Sequence, residues 1–508
     1  MLARIHSAAV NGVDAYPIEV EVNAGWGDTK ILVVGLPDAA VRESRDRVTT
    51  AIANSGFRFP MGRTTINLAP ADVKKEGPSF DLPIAIGMLA ASDQCRTDQL
   101  DDFVLVGELA LTGTIRPIKG LLPIALRAKH SGKRGLLVPA QNAPEAAVVD
   151  GIAVYPVKNL RQAVRFLDGE EQLTPETVNV TDIFQQQQTD PVDFSDVRGQ
   201  EMVKRALEIA ASGSHNVLLI GPPGTGKSML AKRLPTILPP LTVEEALETT
   251  KIHSIAGILT PEQALVTRRP FRTPHHTASD AGLLGGSATP SPGEISLAHN
   301  GILFLDELPE FKRSVLETMR QPLEEGQVTI SRAAGTFTFP ARFMLVAAMN
   351  PSPDGKMPAE SQCSPREIQR YLGKVSGPLL DRIDMHVEVP LIPFRKITSS
   401  ENGEDSATIR KRVAAARQRQ QDRFKRLPGV NGNAQMQSRE LKQFCQVDNA
   451  TLNLLRQAME DLQLSARAYD RILKVARTIA DLDACEFIQT QHIAEAIQYR
   501  SLDRQIWM

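Results

Sequence analysis

One short stretch constrains the fold of this 508-residue chain more than any other. Asn216 to Ile220 form an apolar, strand-like run, and a glycine-rich octapeptide leads from it into the helical segment MLAKRL. Between a strand and a helix, small residues let backbone N–H groups wrap phosphates, and the helix N-terminus adds positive potential. The sequence therefore predicts an α/β domain with a parallel sheet that holds a phosphate-bearing ligand. The octapeptide consists of Gly221, Pro222, Pro223, Gly224, Thr225, Gly226, Lys227 and Ser228.

Two acids after a second apolar strand extend this site. The run Ile302 to Leu305 leads directly into Asp306 and Glu307, and the carboxyl ends of parallel strands meet at one edge of a sheet. In such a site Lys227 contacts the β- and γ-phosphates, while Ser228 and Asp306 hold Mg²⁺. Glu307 would polarise the attacking water. The alternative is a strand that ends in solvated acids, and the glycine-rich loop makes the nucleotide site the stronger interpretation.

Two further polar residues follow in the order expected of a nucleotide-hydrolysing domain. Asn350 comes after the apolar run Phe343 to Ala348, where its amide could bind the γ-phosphate or its water. A turn-forming Asn before proline is the alternative. Arg382 lies in SGPLLDRID, and an arginine supplied to a neighbouring subunit's γ-phosphate can add about 10³ to 10⁵ in turnover. A local ion pair with Asp381 or Asp384 is the other reading.

Composition excludes several classes of protein. With 42% apolar residues, 23% charged residues, 34 Gly and 34 Pro, the chain is typical of globular proteins and not of disordered or collagen-like ones. No apolar run approaches the roughly 18 to 20 residues that cross a bilayer, and no secretory leader is evident, so we expect a cytoplasmic protein without a membrane partner. A net charge of −1 means that any polyanion must be met by local basic patches.

The four cysteines are too few and too far apart for a disulfide framework or a CxxC metal site. They are Cys95, Cys363, Cys445 and Cys485. We expect buried thiols.

Composition and periodicity divide the chain into four parts. Residues 1–168 alternate strand-like and helix-like segments, as in a mixed α/β domain. Residues 169–192 contain few periodic apolar residues and a run of glutamines, which is typical of a linker. Residues 193–395 form the second α/β region, and residues 396–508 have almost entirely helical periodicity.

Several elements of the first domain are specific enough to be tested. The sequence predicts strands over Ile31 to Val34 and Thr64 to Leu68, with Asp38 capping a helix that ends near Asn54. It also predicts a helix over Leu82 to Ala91. Thr112-Gly113 between the strand-like runs Val104 to Leu111 and Thr114 to Pro117 is a hairpin signal.

The motifs together resemble a known family. The stretches SHNVLLIGPPGTGKSMLAKRL, FRTPHHTASDAGLLGG, GEISLAHNGILFLDELPEF, SGPLLDRID and LSARAYDRILKVARTIADL are similar to those of the magnesium-chelatase and MCM branch of AAA+ ATPases, and within it to the ComM/YifB proteins of bacteria. The resemblance implies Walker A at Gly221 to Ser228, Walker B at Asp306 and Glu307, a first sensor at Asn350 and an arginine finger at Arg382. It also implies ATP and Mg²⁺ as ligands and a homo-oligomeric ring, usually a hexamer.

The resemblance implies further features of this branch. A second sensor is expected at Arg467 in the helical lid, with Arg471 as the neighbour that could be confused with it. Residues 268–300 resemble an inserted segment that faces the ring channel. The segments Val328 to Arg332 and Thr336 to Pro340 resemble a hairpin with its turn at Ala333 to Gly335, which makes Arg332 a candidate DNA contact; a solvated arginine is the alternative.

Metal binding is not predicted at two places in the sequence that contain potential ligands. Many relatives carry a cysteine cluster after the Asn-Pro of the first sensor, but here Ser352 and Asp354 stand where cysteines could have been and Cys363 remains alone, so zinc is not predicted. His275 and His276 are expected to make polar contacts in a loop rather than to bind a metal.

The first domain resembles the peptidase domain of Lon in the version carried by ComM and RadA. The resemblance places Ser79 at the nucleophile position, whereas alignment of the glycines puts Leu122 where the general-base lysine should be and Lys119 three residues early. Because leucine cannot accept a proton, we expect an inactive peptidase unless Lys119 substitutes.

Two basic stretches could contact DNA or be solvated surfaces. One is the helical run 409–426. The other consists of Arg127, Lys129, Lys133 and Arg134.

The resemblance implies a cytoplasmic ATP-driven ring motor on single-stranded or branched DNA, which would act in branch migration and homologous recombination during natural transformation. Two alternatives come from the same motifs. One is a magnesium-chelatase motor subunit, to which the Lon-like domain does not belong. The other is an ATP-dependent protease, which requires a base for Ser79.

Overall fold

The computed structural model describes residues 2–72, 75, 77–185, 192–286, 291–332, 335–357, 360–397, 403–427 and 429–502. Two residues of the expected hairpin turn, Ala333 and Ala334, and the linker residues 186–191 lie outside these ranges. The chain forms two compact units. The first contains residues 1–187, 243–267 and 337–339, and the second contains residues 188–242, 268–336 and 340–508.

The strands, numbered in chain order, are short except at the N-terminus. They are β1 (Leu2–Asn11), β2 (Asp14–Gly25), β3 (Lys30–Val34), β4 (Arg63–Ala69), β5 (Phe103–Leu105), β6 (Glu108–Leu109), β7 (Ile115–Arg116), β8 (Gly135–Pro139), β9 (Ala153–Val157), β10 (Val217–Ile220), β11 (Phe271–Arg272), β12 (Ile302–Leu305), β13 (Gln327–Arg332), β14 (Gly335–Pro340), β15 (Met344–Met349) and β16 (Met385–Glu388).

The helices are longest in the C-terminal region. They are α1 (Ala39–Asn54), α2 (Asp81–Ala91), α3 (Leu121–His130), α4 (Ala143–Ala147), α5 (Leu160–Leu167), α6 (Val180–Gln185), α7 (Glu201–Gly213), α8 (Lys227–Arg233), α9 (Val243–Ala256), α10 (Asp280–Leu284), α11 (Glu294–Leu297), α12 (Arg313–Thr318), α13 (Arg320–Glu325), α14 (Pro365–Leu372), α15 (Gly377–Leu380), α16 (Phe394–Ile397), α17 (Ser406–Phe424), α18 (Ser438–Phe444), α19 (Asn449–Asp461), α20 (Ala466–Leu482) and α21 (Thr490–Gln498).

A seven-stranded sheet in the order β3-β4-β2-β1-β5-β8-β9 organises the first unit. The pairs β1–β2 and β2–β4 are antiparallel, and β3–β4 is parallel. Helix α2 is buried along its whole length, and α1 begins at Asp38, whose carboxylate accepts a hydrogen bond from the Val41 N–H at 2.7 Å. The expected cap of α1 and the expected helix over Leu82 to Ala91 are therefore confirmed.

The long N-terminal hairpin of this unit was not anticipated from the sequence. Asn11 pairs with Asp14, and Gly12 between them has a φ of +63°. The signal was present, because Asn-Gly between alternating apolar residues is the strongest short-range hairpin signal. The expected hairpin at Thr112-Gly113 does form between β6 and β7, but Phe103–Leu105 is a separate strand of the large sheet.

A five-stranded parallel sheet in the order β11-β12-β15-β10-β16 organises the second unit. Strands β10, β12 and β15 are buried on both faces, which explains their uninterrupted apolar sequences. This confirms the predicted α/β fold with a parallel sheet. One expected boundary is wrong: Phe271–Arg272 pairs in parallel with Ile302 and Leu303 as an edge strand, so residues 268–300 are not wholly an insertion.

The C-terminal helices share a hydrophobic core with this sheet. Buried residues from β10, β15 and the helices α17 and α20 belong to one cluster. Helix α17 carries most of the basic run, and two of its arginines are held inside the unit: Arg417 is 8% exposed and donates to Asn431 O at 2.9 Å, and Arg423 pairs with Asp481. Arg412 pairs with Glu208 and Glu404 and is 42% exposed. Neither of the two readings of this run therefore holds at Arg417 and Arg423, whereas Lys411, Arg419, Lys425 and Arg426 are exposed.

Among the helices of the described ranges, none combines the length and the apolar character required to traverse a bilayer.

Candidate nucleotide-binding site

The glycine-rich loop forms a cradle at the carboxyl end of β10. Gly224 and Gly226 have φ values of +79° and +87°, which side chains rarely adopt. A Cβ at Gly221 would lie 2.2 Å from Val389 O, whereas a Cβ at Gly224 would meet no heavy atom within 4 Å. The first glycine is therefore required by packing, and Gly224 faces open space that a phosphate chain can occupy.

Lys227 is the buried cation of the cradle. Its Nζ donates to Gly221 O at 2.7 Å, to Pro222 O at 2.9 Å and to Asn350 Oδ1 at 3.1 Å. Burial lowers the pKa of Lys227, and the charge of Asp306 partly opposes this. A buried ammonium whose direct acceptors are uncharged is poised to gain free energy from an anion.

Ser228 and Asp306 come together from two elements. Ser228 Oγ, in the first turn of α8, donates to Asp306 Oδ2, at the end of β12, at 2.5 Å. A hydroxyl and a carboxylate are the hard oxygen ligands that Mg²⁺ prefers. The two residues therefore fit the metal site expected from the sequence.

Glu307 occupies a strained turn beside this pair. Its φ is +52°, its N–H donates to Asp306 Oδ1 at 2.9 Å, and its carbonyl accepts from Glu310 N–H at 2.8 Å. These two bonds hold the left-handed conformation, which costs of order 1–3 kcal/mol for a residue with a side chain. The carboxylate is 61% exposed and thus accessible to water and substrate.

The structure adds His276 to this region. Its Nδ1 lies 3.4 Å from Glu307 Oε2, and its ring lies 4.1 Å from that of His275. His275 Nδ1 bonds Thr277 Oγ1 at 2.9 Å, so both histidines make polar contacts, as expected. Nothing in the local sequence indicates that His276 lies beside Glu307, because the two residues come from separate segments of the unit.

Gln200 is a second residue that the sequence analysis missed. Its Nε2 donates to Thr225 O at 2.9 Å and to Pro390 O at 3.1 Å, which fixes the loop to the strand end behind it. Its φ is +57°, and its Oε1 is buried without a hydrogen-bond partner among the described residues. The left-handed residue directly before α7 gave no recognisable sequence signal.

Arg382 is held within its own chain by an unexpected partner. Its guanidinium contacts Glu324 and Pro378 O, and its side chain is only 11% exposed. The alternative of a pair with Asp381 or Asp384 is wrong, because those acids pair with Arg467 and Arg471 instead.

The two candidate second-sensor arginines differ in availability. Arg467 is 62% exposed and lies 3.6 Å from Asp381 Oδ2. Arg471 donates to Asp384 Oδ1 at 2.7 Å, and Asp384 is almost fully buried next to His215. Burial alone would raise the pKa of Asp384, but Arg471 and His215 bring it well below its usual range. Arg471 is thus committed to a buried pair, whereas Arg467 is largely exposed and makes a longer contact with a partly exposed acid.

Arg332 is exposed at the end of β13, and its guanidinium lies 3.5 Å from Gly286 O. The strands β13 and β14 form the expected hairpin.

The segment after the first sensor is organised around a carboxylate. Asp354 accepts hydrogen bonds from Ser352 Oγ, Ser361 Oγ and Gln362 N–H, and these bonds lower its pKa. In the part of the chain that the structure describes, no cluster of three or more His, Cys, Asp or Glu side chains has a metal-binding arrangement.

Leu122 occupies the position where the resemblance to Lon would require a lysine. Leu122 is fully buried at the start of α3, where its N–H donates to Glu145 Oε1 at 2.9 Å. Lys119 lines a cavity of about 260 Å³ together with Glu145 and Ser254, and Ser79 is not among the residues that line it. The route by which Lys119 could serve Ser79 therefore has no support in this cavity.

Comparisons with known proteins agree with these features. The family model "Magnesium chelatase, subunit ChlI" matches residues 193–397, "Subunit ChlI of Mg-chelatase" matches residues 18–142, and "Magnesium chelatase, subunit ChlI C-terminal" matches residues 403–500. The chain is 47% identical to "Uncharacterized protein YifB" of Escherichia coli over 505 residues, which cover 99% of this chain and 98% of that protein.

Two other relatives complete the comparison. Identity to "Competence protein ComM" of Haemophilus influenzae is 47% over 510 residues, which cover 99% of this chain and 98% of that protein. Identity to the "Magnesium-chelatase 38 kDa subunit" of Cereibacter sphaeroides is 27% over 218 residues, or 39% of this chain and 59% of that protein. The full-length matches, together with the assembled nucleotide site, show that the chain belongs to the ComM/YifB family of magnesium-chelatase-type AAA+ proteins.

Proposed function

We propose that this protein hydrolyses ATP to ADP and phosphate as a ring-shaped motor that acts on single-stranded or branched DNA in the cytoplasm. The observation that carries the proposal is the convergence of Lys227, Ser228, Asp306 and Asn350 around an open cradle, with Glu307 beside it. These residues come from three separate segments, and a structural role would not require their meeting at one sheet edge.

Each residue has a role that follows from its position. The loop N–H groups and Lys227 bind the phosphate chain, because its charge replaces the neutral acceptors of the buried ammonium. Ser228 and Asp306 would hold Mg²⁺, which neutralises charge on the β- and γ-phosphate oxygens when it is bound. Glu307 accepts a proton from the attacking water, and Asn350, now in contact with Lys227, orients the water or the γ-phosphate.

Completion of the site requires a second copy of the chain. Arg382 is bound to Glu324 and Pro378 O in its own chain, and among the described residues Lys227 and Asp306 are not its partners. We propose that, when the ring assembles, Arg382 leaves Glu324 and binds the γ-phosphate of the ATP held by a neighbouring protomer. The phosphate carries more negative charge than one carboxylate, so the exchange favours the assembled, nucleotide-bound ring. Arg467, rather than Arg471, supplies the second sensor, since only Arg467 can move without uncovering a buried carboxylate.

The DNA role rests on the relatives. The protein from Haemophilus influenzae carries the name of a competence protein, and the chain matches it from end to end. We propose that the present protein serves homologous recombination of incoming DNA by branch migration. Arg332, an exposed residue at the end of the hairpin strand β13, is the proposed DNA contact within the second unit.

The decisive experiment is subunit mixing. Lys227→Ala and Arg382→Ala should each lose at least about 100-fold in ATP turnover, because one loses phosphate binding and the other the charge donated across the interface. Mixed with each other, they should regain partial activity, since an intact Lys227 then meets an intact Arg382 at some interfaces. Arg366→Ala, an exposed arginine of α14, is the matched control and should retain full turnover.

Three outcomes would count against the proposal. Full turnover by a monomeric Arg382→Ala protein would remove the ring mechanism. Turnover and strand displacement that do not respond to single-stranded, duplex or four-way-junction DNA would remove the DNA motor, while leaving the ATPase. Porphyrin metallation in the presence of chelatase subunits would instead favour a chelatase motor.

A further inference from the structure

The first unit has an exposed corner that combines an aromatic side chain with basic ones. Trp26 has a relative exposure of 101% and Met61 one of 83%. The two loops are adjacent, because a Cβ at Gly62 would lie 3.6 Å from Trp26 Cα. A tryptophan completely out of the core offers both faces of its ring to solvent, which is costly unless something stacks on it.

Two basic residues lie on the sheet next to this corner. Arg63 of β4 is the register partner of both Gly25 in β2 and Lys30 in β3, so Arg63 and Lys30 project from the same face of the sheet. Along the same face of β3 follow Leu32 and Val34, which are 39% and 37% exposed. We call Trp26, Lys30, Leu32, Val34, Met61 and Arg63 the Trp26 face.

The opposite side of these strands is the core. Val20 and Val22 of β2 and Ile66 and Leu68 of β4 are at most 1% exposed. Because side chains alternate along a strand, the register places Lys30, Leu32, Val34 and Arg63 on the solvent side of the sheet. Trp26 and Met61 lie in the loops directly after β2 and before β4, next to this side, and are exposed.

Charge across the sheet surface is uneven, and this decides where an anion would lie. Two acids of β2 lie on the same side, away from the corner: Glu19 pairs with Arg4, and Glu21 keeps its negative charge while it accepts a hydrogen bond from Asn67 Nδ2 at 2.8 Å. On the β3–β4 side, neither Lys30 nor Arg63 forms an ion pair within the described ranges, and the nearby acid in sequence is Asp28. With Asp28 counted against Lys30 and Arg63, the corner has a net positive charge, whereas Glu21 adds a negative charge at the Val34 end of the same face.

The other basic patch of this unit is partly engaged. Lys133 donates to Asp101 O at 2.7 Å, and Arg134 lies 3.8 Å from Asp102 and over the Phe103 ring. Arg127 and Lys129 of that patch are exposed. What distinguishes Lys30 and Arg63 is the fully exposed tryptophan beside them.

We propose that the Trp26 face binds single-stranded nucleic acid, with the indole stacked on a base and Lys30 and Arg63 against the phosphates. An aromatic ring next to backbone-binding cations is the arrangement by which proteins hold single strands without reading sequence. A duplex hides its bases from such a ring, so the ligand is a single strand. This inference rests on the proposed action on DNA and assigns that action a contact outside the ATPase site.

The test uses the full-length protein and an oligodeoxythymidine. The chain has two tryptophans, so a Trp507→Phe background reports Trp26 alone, and its fluorescence should be quenched on binding. Trp26→Ala should weaken binding about 10-fold, and Trp26→Phe should restore most of it, because stacking is worth about 1–3 kcal/mol per base. Phe487→Ala, another exposed aromatic at 65%, should bind like the parent.

The cations are tested by salt dependence. Lys30→Ala and Arg63→Ala should each reduce the slope of log K against log salt by about 0.7, since each removes one phosphate contact on a single strand. ATP turnover without DNA should stay at the parent level in all these variants, which shows that they fold.

Each remaining outcome overturns a different statement. If the parent binds no DNA but hydrolyses ATP, the proposed DNA role fails. If the parent binds and Trp26→Ala binds equally well, only the present inference fails. A change in the mass of the assembly with unchanged DNA affinity would show that the Trp26 face covers a second copy of the chain, and that too overturns the inference.

Discussion

The two units each contain a buried ionisable side chain at the start of a helix, and the two are treated in opposite ways. Lys227 in the second unit has neutral direct acceptors and faces an open cradle. Glu145 in the first unit accepts bonds from Leu122 N–H, Asn142 Nδ2 and Ser254 Oγ, and burial raises its pKa. Glu145 thus binds a backbone N–H in the first turn of α3, at Leu122, the position where the Lon-like resemblance would put a lysine.

Lys227 is therefore available to bind an anionic ligand, whereas Glu145 has a structural role in the first unit. A buried charge with uncharged neighbours gains free energy when a counter-charge arrives, whereas a fully bonded charge gains none. Burial of an ionisable group therefore does not by itself indicate a functional site. A buried group that lacks a counter-charge is a better indication of one.

The largest effect should come from the acid beside the cradle. Glu307→Gln should lower ATP turnover by about 10²- to 10⁴-fold, because an amide cannot take the proton from water. Nucleotide binding should persist, since Lys227 and the loop remain. Turnover and equilibrium binding of a fluorescent ATP analogue measure the two effects separately.

Glu310→Gln is the control for this prediction. Glu310 is in the same turn but pairs with Lys374 at the surface, so its loss should change turnover less than about 3-fold. Equal losses in both variants would show that the turn, rather than the Glu307 carboxylate, matters.

The next effect should appear in the first unit as a loss of local stability. Glu145→Ala removes a carboxylate that is 7% exposed and leaves the N–H of Leu122 without its acceptor, at a cost of about 2 kcal/mol. Hydrogen exchange at Leu122 should accelerate about 30-fold, while ATP turnover stays within about 2-fold. We choose local exchange because unfolding of a two-unit chain is not two-state.

Glu43→Ala provides the matched comparison. Glu43 is 75% exposed and 3.9 Å from Arg47, so its removal should cost about 0–1 kcal/mol and leave Leu122 protected. Unchanged exchange at Leu122 in Glu145→Ala would mean that Glu145 is not what holds α3.

The smallest effect should come from Ser79. Ser79→Ala should leave ATP turnover unchanged and the free energy of unfolding within about 0.5 kcal/mol of the parent value. The reason is that position 122 holds a leucine, so no lysine there can activate the Ser79 hydroxyl. Peptide and casein cleavage should be absent in both proteins. Cleavage by the parent that disappears in Ser79→Ala would restore the peptidase and would erase the contrast between the units.

Much of the nucleotide site could be predicted from consecutive residues. The strand, the glycine-rich loop and the helix are contiguous, as are Ile302–Leu305 and its two acids, so the local sequence specifies both the element and the residues at its end. The cap of α1 was equally local, since Asp38 binds an N–H three residues away. The Asn11-Gly12 hairpin was overlooked although its signal was equally local.

The long-range pairings could not be predicted in this way. Glu324 and Arg382 are 58 residues apart, and Arg412 and Glu208 are 204 residues apart. Sequence also gave no sign that residues 243–267 join the first unit rather than the second. Such outcomes depend on which surfaces the fold brings together, and many acids in the chain could have paired with each arginine.

The sequence alone determined the candidate residues for binding phosphate, Mg²⁺ and water, because backbone geometry and hydrogen-bond donors within a few residues set that chemistry. The tertiary structure alone decided which charges remain available. Arg467 is exposed whereas Arg471 is held in a buried pair, Arg417 and Arg423 of α17 are bound to internal partners, and the Trp26 face is exposed. Coulomb attraction and desolvation act through space, so the availability of a charge is settled only when the chain has folded.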